Sequence, residues 1–119
     1  MKTARRDPDA LLPLTPAVFH ILLALVGGER HGYAIMAEVG AATDGQMKLG
    51  PGTLYGTIKR LLADDLIEES EDRPDAEMDD ERRRYYRLTA FGRRVLQAEV
   101  GRFASLVKSA RRAGLLATA

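Results

Sequence analysis

The side chains best suited to chemistry lie between residues 53 and 60, where hydroxyls and glycine precede two adjacent bases. Lys59 and Arg60 can contact phosphates or guanine edges, and threonine hydroxyls can bind phosphate or contact a thymine methyl group. A glycine lets the backbone approach a ligand closely. The pattern therefore indicates a nucleic-acid surface, although the bases could also belong to an ordinary solvated helix face. Its candidate members are Thr53, Tyr55, Gly56, Thr57, Lys59 and Arg60.

Further lysine and arginine residues lie before and after these candidates in the sequence. Arg82, Arg83 and Arg84 are consecutive, and Lys48 precedes the set, so each could contact a phosphate backbone. Residues 68–81 contain nine acids and one base, a local charge of −8, so the rest of this +1 chain carries +9. The arginine run could therefore neutralise its acidic neighbours instead, and both alternatives stay open.

Several other kinds of chemistry have no basis in the sequence. There is no cysteine, and His20 and His31 are the only histidines, so a transition-metal ligand set is missing. Structural roles are expected for both histidines, His31 at the start of a helix. The sequence has no Gly-rich phosphate loop with its lysine and no Gly-x-Ser-x-Gly nucleophile. We therefore predict no cofactor, no metal and no enzymatic activity.

Composition and length bound the remaining possibilities. The 119 residues, 45% of them hydrophobic, suit one domain. The apolar run at residues 17–26 is shorter than the roughly 20 residues that span a bilayer, and Pro13 and Pro16 interrupt any signal peptide. A cytoplasmic location is expected, with no membrane partner.

Three helices are predicted in the first half of the chain. Thr15 can cap the first, with Pro16 at its first position, and this helix should end at Val26 before two glycines. The second is predicted at residues 32–42, and the third begins near Pro51. The side chains expected to face inward are Tyr33, Ile35, Met36 and Val39 in the second helix, and Leu54, Ile58, Leu61 and Leu62 in the third.

Two short strands follow. Leu66 and Ile67 begin one, and the alternation at residues 84–88 predicts the other, so together they form a hairpin. Its tip, residues 71–81, is expected to be a mobile polar loop. Three helices followed by a hairpin make a winged helix, whose third helix can enter the major groove of DNA.

A long final helix is predicted after Thr89, which can cap it. Its apolar residues recur at intervals of four, three, four and three, a heptad-like stripe. The stripe is expected to form a dimer interface, and the alternative is that the helix folds back on its own domain. Its members are Leu96, Val100, Phe103, Val107 and Ala110.

The expected organisation is therefore mainly α with a small β-hairpin. Residues 1–12 are predicted to be a flexible N-terminal arm, residues 13–88 a winged helix-turn-helix domain for DNA, and residues 89–119 a dimerisation helix.

These segments together resemble the PadR family of transcriptional regulators from Leu14 to about Leu116. The resemblance rests on His-Gly-Tyr-Ala-Ile at residues 31–35, Gly-Thr-Leu-Tyr at 52–55 with Ile-Lys-Arg-Leu at 58–61, and Arg-Tyr-Tyr-Arg-Leu-Thr at 84–89 with Gly92 and Leu96. One departure is Asp65, where the family usually has glycine. Aspartate tolerates the left-handed conformation, so the turn can be kept.

The resemblance implies a homodimer that binds a roughly palindromic operator, usually as a repressor. It makes Tyr55 and Lys59 the foremost DNA contacts. It also implies that a small aromatic or amphipathic effector often releases the DNA, and the short C-terminal part would place such an effector near the dimer interface.

A second hypothesis is a winged-helix module that binds another protein through the C-terminal stripe. DNA binding should weaken steeply with salt, whereas an apolar interface should not. A small enzyme ranks last, because no buried, perturbed carboxylate or histidine is evident.

Overall fold

The computed structural model describes residues 7–70 and 84–117. Within them a short 3-10 helix, Pro8–Leu11, precedes four α-helices and three strands. The elements are α1 (Pro16–Ala24), β1 (Arg30–His31), α2 (Gly32–Ala42), α3 (Pro51–Ala63), β2 (Ile67–Glu69), β3 (Tyr85–Leu88) and α4 (Ala90–Arg112). The predicted fold class, a mainly α winged helix, is confirmed.

Side-chain caps fix where helices α1 and α4 begin. Thr15 Oγ1 accepts a hydrogen bond from the Val18 amide at 3.2 Å, and Pro16 takes the first position of α1. Thr89 Oγ1 likewise accepts from the Gly92 amide at 2.8 Å at the start of α4. Both caps were predicted. Helix α1 ends at Ala24, two residues before the predicted end.

The core forms where one face of each helix meets the sheet. Helix α3 buries Leu54, Ile58 and Leu61, as its spacing predicts, whereas Leu62 is only partly buried. Helix α2 buries Ile35 and Val39. The prediction for Tyr33 was wrong, because its side chain is 43% exposed. The remaining fully buried large apolar side chains come from α1, the sheet and α4: Ile21, Leu22, Leu25, Ile67 and Val95.

The sheet has three antiparallel strands in the order β1-β3-β2, one more than the hairpin predicted. Ile67 pairs with Leu88 and Glu69 with Tyr86, while His31 pairs with Tyr85. Strand β1 has two residues, too few to show an alternating pattern. The predicted wing tip, residues 71–81, lies outside the described residues.

Within the predicted N-terminal arm, residues 7–12 are the part that the structure describes, and they lie against the rest of the chain. Asp7 caps the 3-10 helix by accepting from the Asp9 amide at 3.0 Å, and Leu11 and Leu12 pack against the core. The next residues are held as well, since the Leu14 amide donates to Glu99 Oε2 of α4 at 2.9 Å. Partly buried apolar contacts and one long-range hydrogen bond therefore hold residues 7–14 against the core.

The Glu99 carboxylate is fully buried yet well paired. Arg102 donates to it through Nε at 2.6 Å and through Nη2 at 3.1 Å. The hydrogen bond from Arg102 lowers the pKa of the Glu99 carboxyl from its ordinary value of 4.5, burial opposes this, and the Leu14 amide adds to the lowering. The charged form thus joins α4 to the N-terminal segment.

The connection from α3 to the wing depends on a close backbone approach. Asp65 has a φ of 61°, so this aspartate adopts the left-handed conformation expected of it. Thr89 Oγ1 donates to the Asp65 carbonyl at 2.6 Å, which brings the first turn of α4 against this connection. A Cβ on Gly92 would overlap the carbonyl group of Leu66. Only glycine fits there.

Replacing Gly92 with alanine should destabilise the protein. The overlap is with backbone that cannot rotate away, so we expect a loss of about 1–3 kcal/mol in the free energy of unfolding. The matched control is Gly101→Ala in the same helix, where the added Cβ meets nothing within 4 Å. That variant should gain about 0.5–1 kcal/mol from helix propensity. Urea denaturation measures both, and equal stability of the two variants would contradict this packing.

The Glu99 pairing predicts a pH dependence of stability. In the folded protein the pKa of the Glu99 carboxyl lies below 4.5. The stability that the charged Glu99 contributes is therefore complete above pH 4.5 and is lost as pH falls through the lowered pKa. Glu99→Gln should therefore cost about 1–3 kcal/mol at pH 7. The gap between parent and variant should narrow below pH 4.5 in urea denaturation. A gap that stays constant down to pH 3 would contradict the pairing.

Candidate nucleic-acid interface

The exposed face of α3 presents four of the six contact residues predicted within this helix. Because Leu54, Ile58 and Leu61 point into the core, the opposite side faces outward. The exposed candidates there are Thr53, Gly56, Lys59 and Arg60. Thr57 is partly buried, and its hydroxyl donates to the Thr53 carbonyl at 2.8 Å. No acid lies in Pro51–Ala63, so nothing within α3 opposes an anionic ligand.

Tyr55 lies against α2 and not on the exposed face of α3, and its DNA contact stays a prediction. Its side chain is partly buried, and its hydroxyl oxygen is inaccessible to solvent. The ring lies directly against Gly32, where a Cβ would overlap the phenol. In this structure Tyr55 packs α3 onto the first turn of α2, and a direct DNA contact through its hydroxyl would require the side chain to move. A packing role therefore fits this geometry better than a direct contact.

His31 holds the start of α2, as predicted. Its Nδ1 accepts from the Ala34 amide at 3.2 Å, and its ring packs edge-on against Tyr85 of β3 at 5.4 Å between centroids. His20 is partly buried in α1, and its ring packs edge-on against that of Phe19 with the centroids 5.5 Å apart. Residues 7–70 and 84–117 contain no cluster of three or more His, Asp or Glu side chains that could hold a metal ion.

Arg84 takes the local pairing that the sequence left open. Its Nε lies 3.4 Å from Glu69 Oε2, with both side chains 39% exposed. Beside it, Arg87 pairs with Glu68 at 2.9 Å, and both of those side chains are half exposed. Exposed pairs of this kind contribute only about 0–1 kcal/mol, so exchange for a phosphate would cost little. Lys48 is exposed before α3, and Arg82 and Arg83 lie outside the described residues.

The predicted stripe on α4 divides between two environments. Leu96 is only 5% exposed and belongs to the core of the chain itself, so its side chain is not available to an external interface. Phe103 packs against Phe19 of α1, with centroids 5.1 Å apart. Val100 and Val107 are exposed at 46% and 39%. The helix therefore folds back at its N-terminal end and leaves an apolar surface further along.

A cavity of about 260 Å³ lies between the N-terminal segment, the start of α1 and the end of α3. Most of the residues lining it are apolar, and Arg60 and Asp64 are the charged ones. The residues lining it also include Leu11, Leu14, Val18 and Leu61. The volume lies just below the usual range for drug-sized ligands. An effector near a dimer interface stays a prediction.

The part of the chain that the structure describes has no helix long and apolar enough to cross a membrane.

Sequence comparison identifies relatives of two kinds. The family model of the PadR-like transcriptional regulators matches residues 21–98. A Streptomyces fradiae protein, described as an uncharacterized 37.1 kDa protein in transposon TN4556, is 37% identical over 86 residues. The match covers 72% of this chain and 22% of that protein, so the chain spans about a fifth of this relative's length.

Solved structures show the same fold. RosR of H. salinarum is 26% identical, with a TM-score of 0.60 over 83% of this chain and 79% of that chain. A PadR family transcription regulator from Clostridium difficile R20291 is 23% identical, with a TM-score of 0.63 over 80% and 94%. A transcriptional regulator from Clostridium thermocellum is 24% identical, with a TM-score of 0.64 over 80% and 86%. The two Clostridium proteins are less than 25% identical to this chain, so their similarity to it shows a shared fold and nothing further. With the family model matching most of its length, the chain belongs to the PadR-like family of transcriptional regulators.

Proposed function

We propose that this protein is a transcriptional repressor that binds a roughly palindromic operator in double-stranded DNA as a homodimer. The observation that carries the proposal is the outer face of α3, which presents Lys59 and Arg60 and has no acid over its 13 residues. Family membership supports the same conclusion.

Helix α3 is the element that would enter the major groove. A 13-residue helix is about 20 Å long, and the groove is about 12 Å wide, enough for one helix. Lys59 and Arg60 would contact phosphates or guanine edges, Thr53 and Thr57 would contact phosphate or thymine methyl groups, and Gly56 would allow close approach. Tyr55 would act mainly by fixing α3 against α2.

Basic side chains beside α3 would contact the DNA backbone on either side of the groove. Lys48 precedes the helix, and Arg84 lies on the wing with Arg82 and Arg83 before it in sequence. Each contact to phosphate releases counterions and adds affinity without sequence preference. Arg84 would leave Glu69 to make such a contact.

A second copy of the chain would cover the exposed apolar part of α4. Three apolar side chains of this part of α4 are exposed to solvent: Val100 at 46%, Val107 at 39% and Leu106 at 53%. A group of exposed apolar side chains on one helix is typical of a surface that binds a partner. A two-fold dimer presents two α3 helices in opposite orientations, so its site is palindromic. A dimer bound across a promoter represses by occupancy, without a catalytic step.

The basic side chains of α3 give the first test. Lys59→Ala and Arg60→Ala should each weaken binding to DNA flanking the protein's own gene by about tenfold. Losing Lys59 should also reduce the slope of log K against log salt by about one, because one fewer counterion is released. The matched control is Arg93→Ala, an exposed base on α4, which should stay within about twofold of the parent.

Fluorescence anisotropy at several salt concentrations measures these affinities. If Arg93→Ala loses as much as Lys59→Ala, α3 has no special role in DNA binding. If the parent selects no DNA at all, the protein-docking hypothesis replaces this one.

The exposed face of α4 gives the second test. Val107→Asp should shift the protein from dimer to monomer, because a carboxylate would be buried without a partner at the interface. Ser105→Asp is the matched control, since Ser105 is exposed on the opposite side of the same helix. Analytical ultracentrifugation distinguishes the states. A parent that is monomeric at micromolar concentration, or two variants that behave alike, would contradict the proposed interface.

A further inference from the structure

Tyr33 is a large aromatic side chain exposed in the first turn of α2. It is 43% exposed, although its spacing with Ile35, Met36 and Val39 predicts an inward position. The reason lies in the neighbouring residue. Gly32 is buried against the Tyr55 ring, so the first turn of α2 presents Gly32 to α3 and turns Tyr33 outward.

The first turn of α2 is fixed on two sides. Tyr55 packs on Gly32 from α3, the helix proposed to enter the groove. On the other side, His31 pairs with Tyr85 in the β1–β3 ladder, and the two rings are in contact. The His31 cap adds a hydrogen bond to the Ala34 amide. Tyr33 is therefore attached to a rigid turn between the recognition helix and the wing.

The outer side of α2 is compatible with an approaching polyanion. Ala37 and Ala41 lie one and two turns beyond Tyr33, and both are small and exposed. The single acid of α2 is Glu38, and its carboxylate lies 3.9 Å from Arg30 Nη2. In helix-turn-helix proteins the helix before the recognition helix crosses the DNA backbone. The phenol of Tyr33 would thus face phosphate when α3 occupies the groove.

We propose that the Tyr33 hydroxyl donates a hydrogen bond to a DNA phosphate and so sets the depth and register of α3 in the groove. The inference rests on the proposed function. Tyr33 would be a positioning contact, because phosphates occur at every step of a duplex and carry no direct sequence information. As an uncharged donor, it would bind without releasing a counterion.

Tyr33→Phe is the variant that tests this contact, because it keeps the ring and removes only the donor. A hydrogen bond to a charged group is strong enough that its loss should weaken DNA binding about tenfold. The loss should be equal for the selected operator and for random DNA, and the salt slope should match that of the parent. Lys59→Ala, in contrast, should lower the salt slope. Thermal unfolding of Tyr33→Phe should be unchanged, since the side chain is exposed.

The outcomes separate this inference from the function on which it rests. If Lys59→Ala loses affinity while Tyr33→Phe stays within twofold of the parent, the phosphate contact is overturned and the proposed function stands. If Tyr33→Phe loses affinity for the operator only, Tyr33 reads bases, which also overturns the proposal. A parent that binds no DNA overturns both.

Discussion

The burial of one face of α3 is the constraint on which the rest of this structure depends. Leu54, Ile58 and Leu61 are each at most 2% exposed, and a fully buried aliphatic side chain of this size contributes about 1.5–3 kcal/mol. Rotating the helix to bury another face would lose these contributions and bury Lys59 or Arg60 without a partner. The core thus determines which side chains α3 offers to a ligand.

The elements around α3 are joined by polar contacts as well as by packing. The left-handed Asp65 turn, the Thr89 hydroxyl and the close approach at Gly92 connect the end of α3 with the start of α4. The Glu99 carboxylate then connects α4 with the N-terminal segment. In the proposed function α3 binds DNA and α4 binds a second copy of the chain, so these two surfaces must be fixed relative to each other. The contacts described here join them within one core.

Local signals in the sequence predicted much of this architecture. The bounds of α2 and the caps of α1 and α4 follow from short-range patterns, because a helix start depends on residues three positions apart. The left-handed Asp65 was expected for the same kind of reason. The stripe of α3 was visible because its apolar residues recur without interruption.

The features that escaped prediction depend on contacts between distant segments. Gly32 has no side chain to mark it as part of the buried face of α2, which it forms with Ile35 and Val39 at i, i+3 and i+7. Its contact with Tyr55 of α3 fixes that face, so Tyr33 lies beside it and is exposed. The burial of the Tyr55 hydroxyl accompanies the same contact. Docking of residues 7–12 depends on Leu14 and Glu99, which are 85 positions apart. A sequence window that spans one helix contains none of this information.

Protection of DNA from dimethyl sulfate tests the central claim most directly, because this reagent methylates the N7 atom of guanine in the major groove. If two α3 helices bind as proposed, guanines in two major-groove segments about one helical turn apart should be protected symmetrically on the selected DNA. The minor groove between them should stay open to minor-groove ligands. Absence of major-groove protection, on DNA that the protein demonstrably binds, would contradict the placement of α3 in the groove.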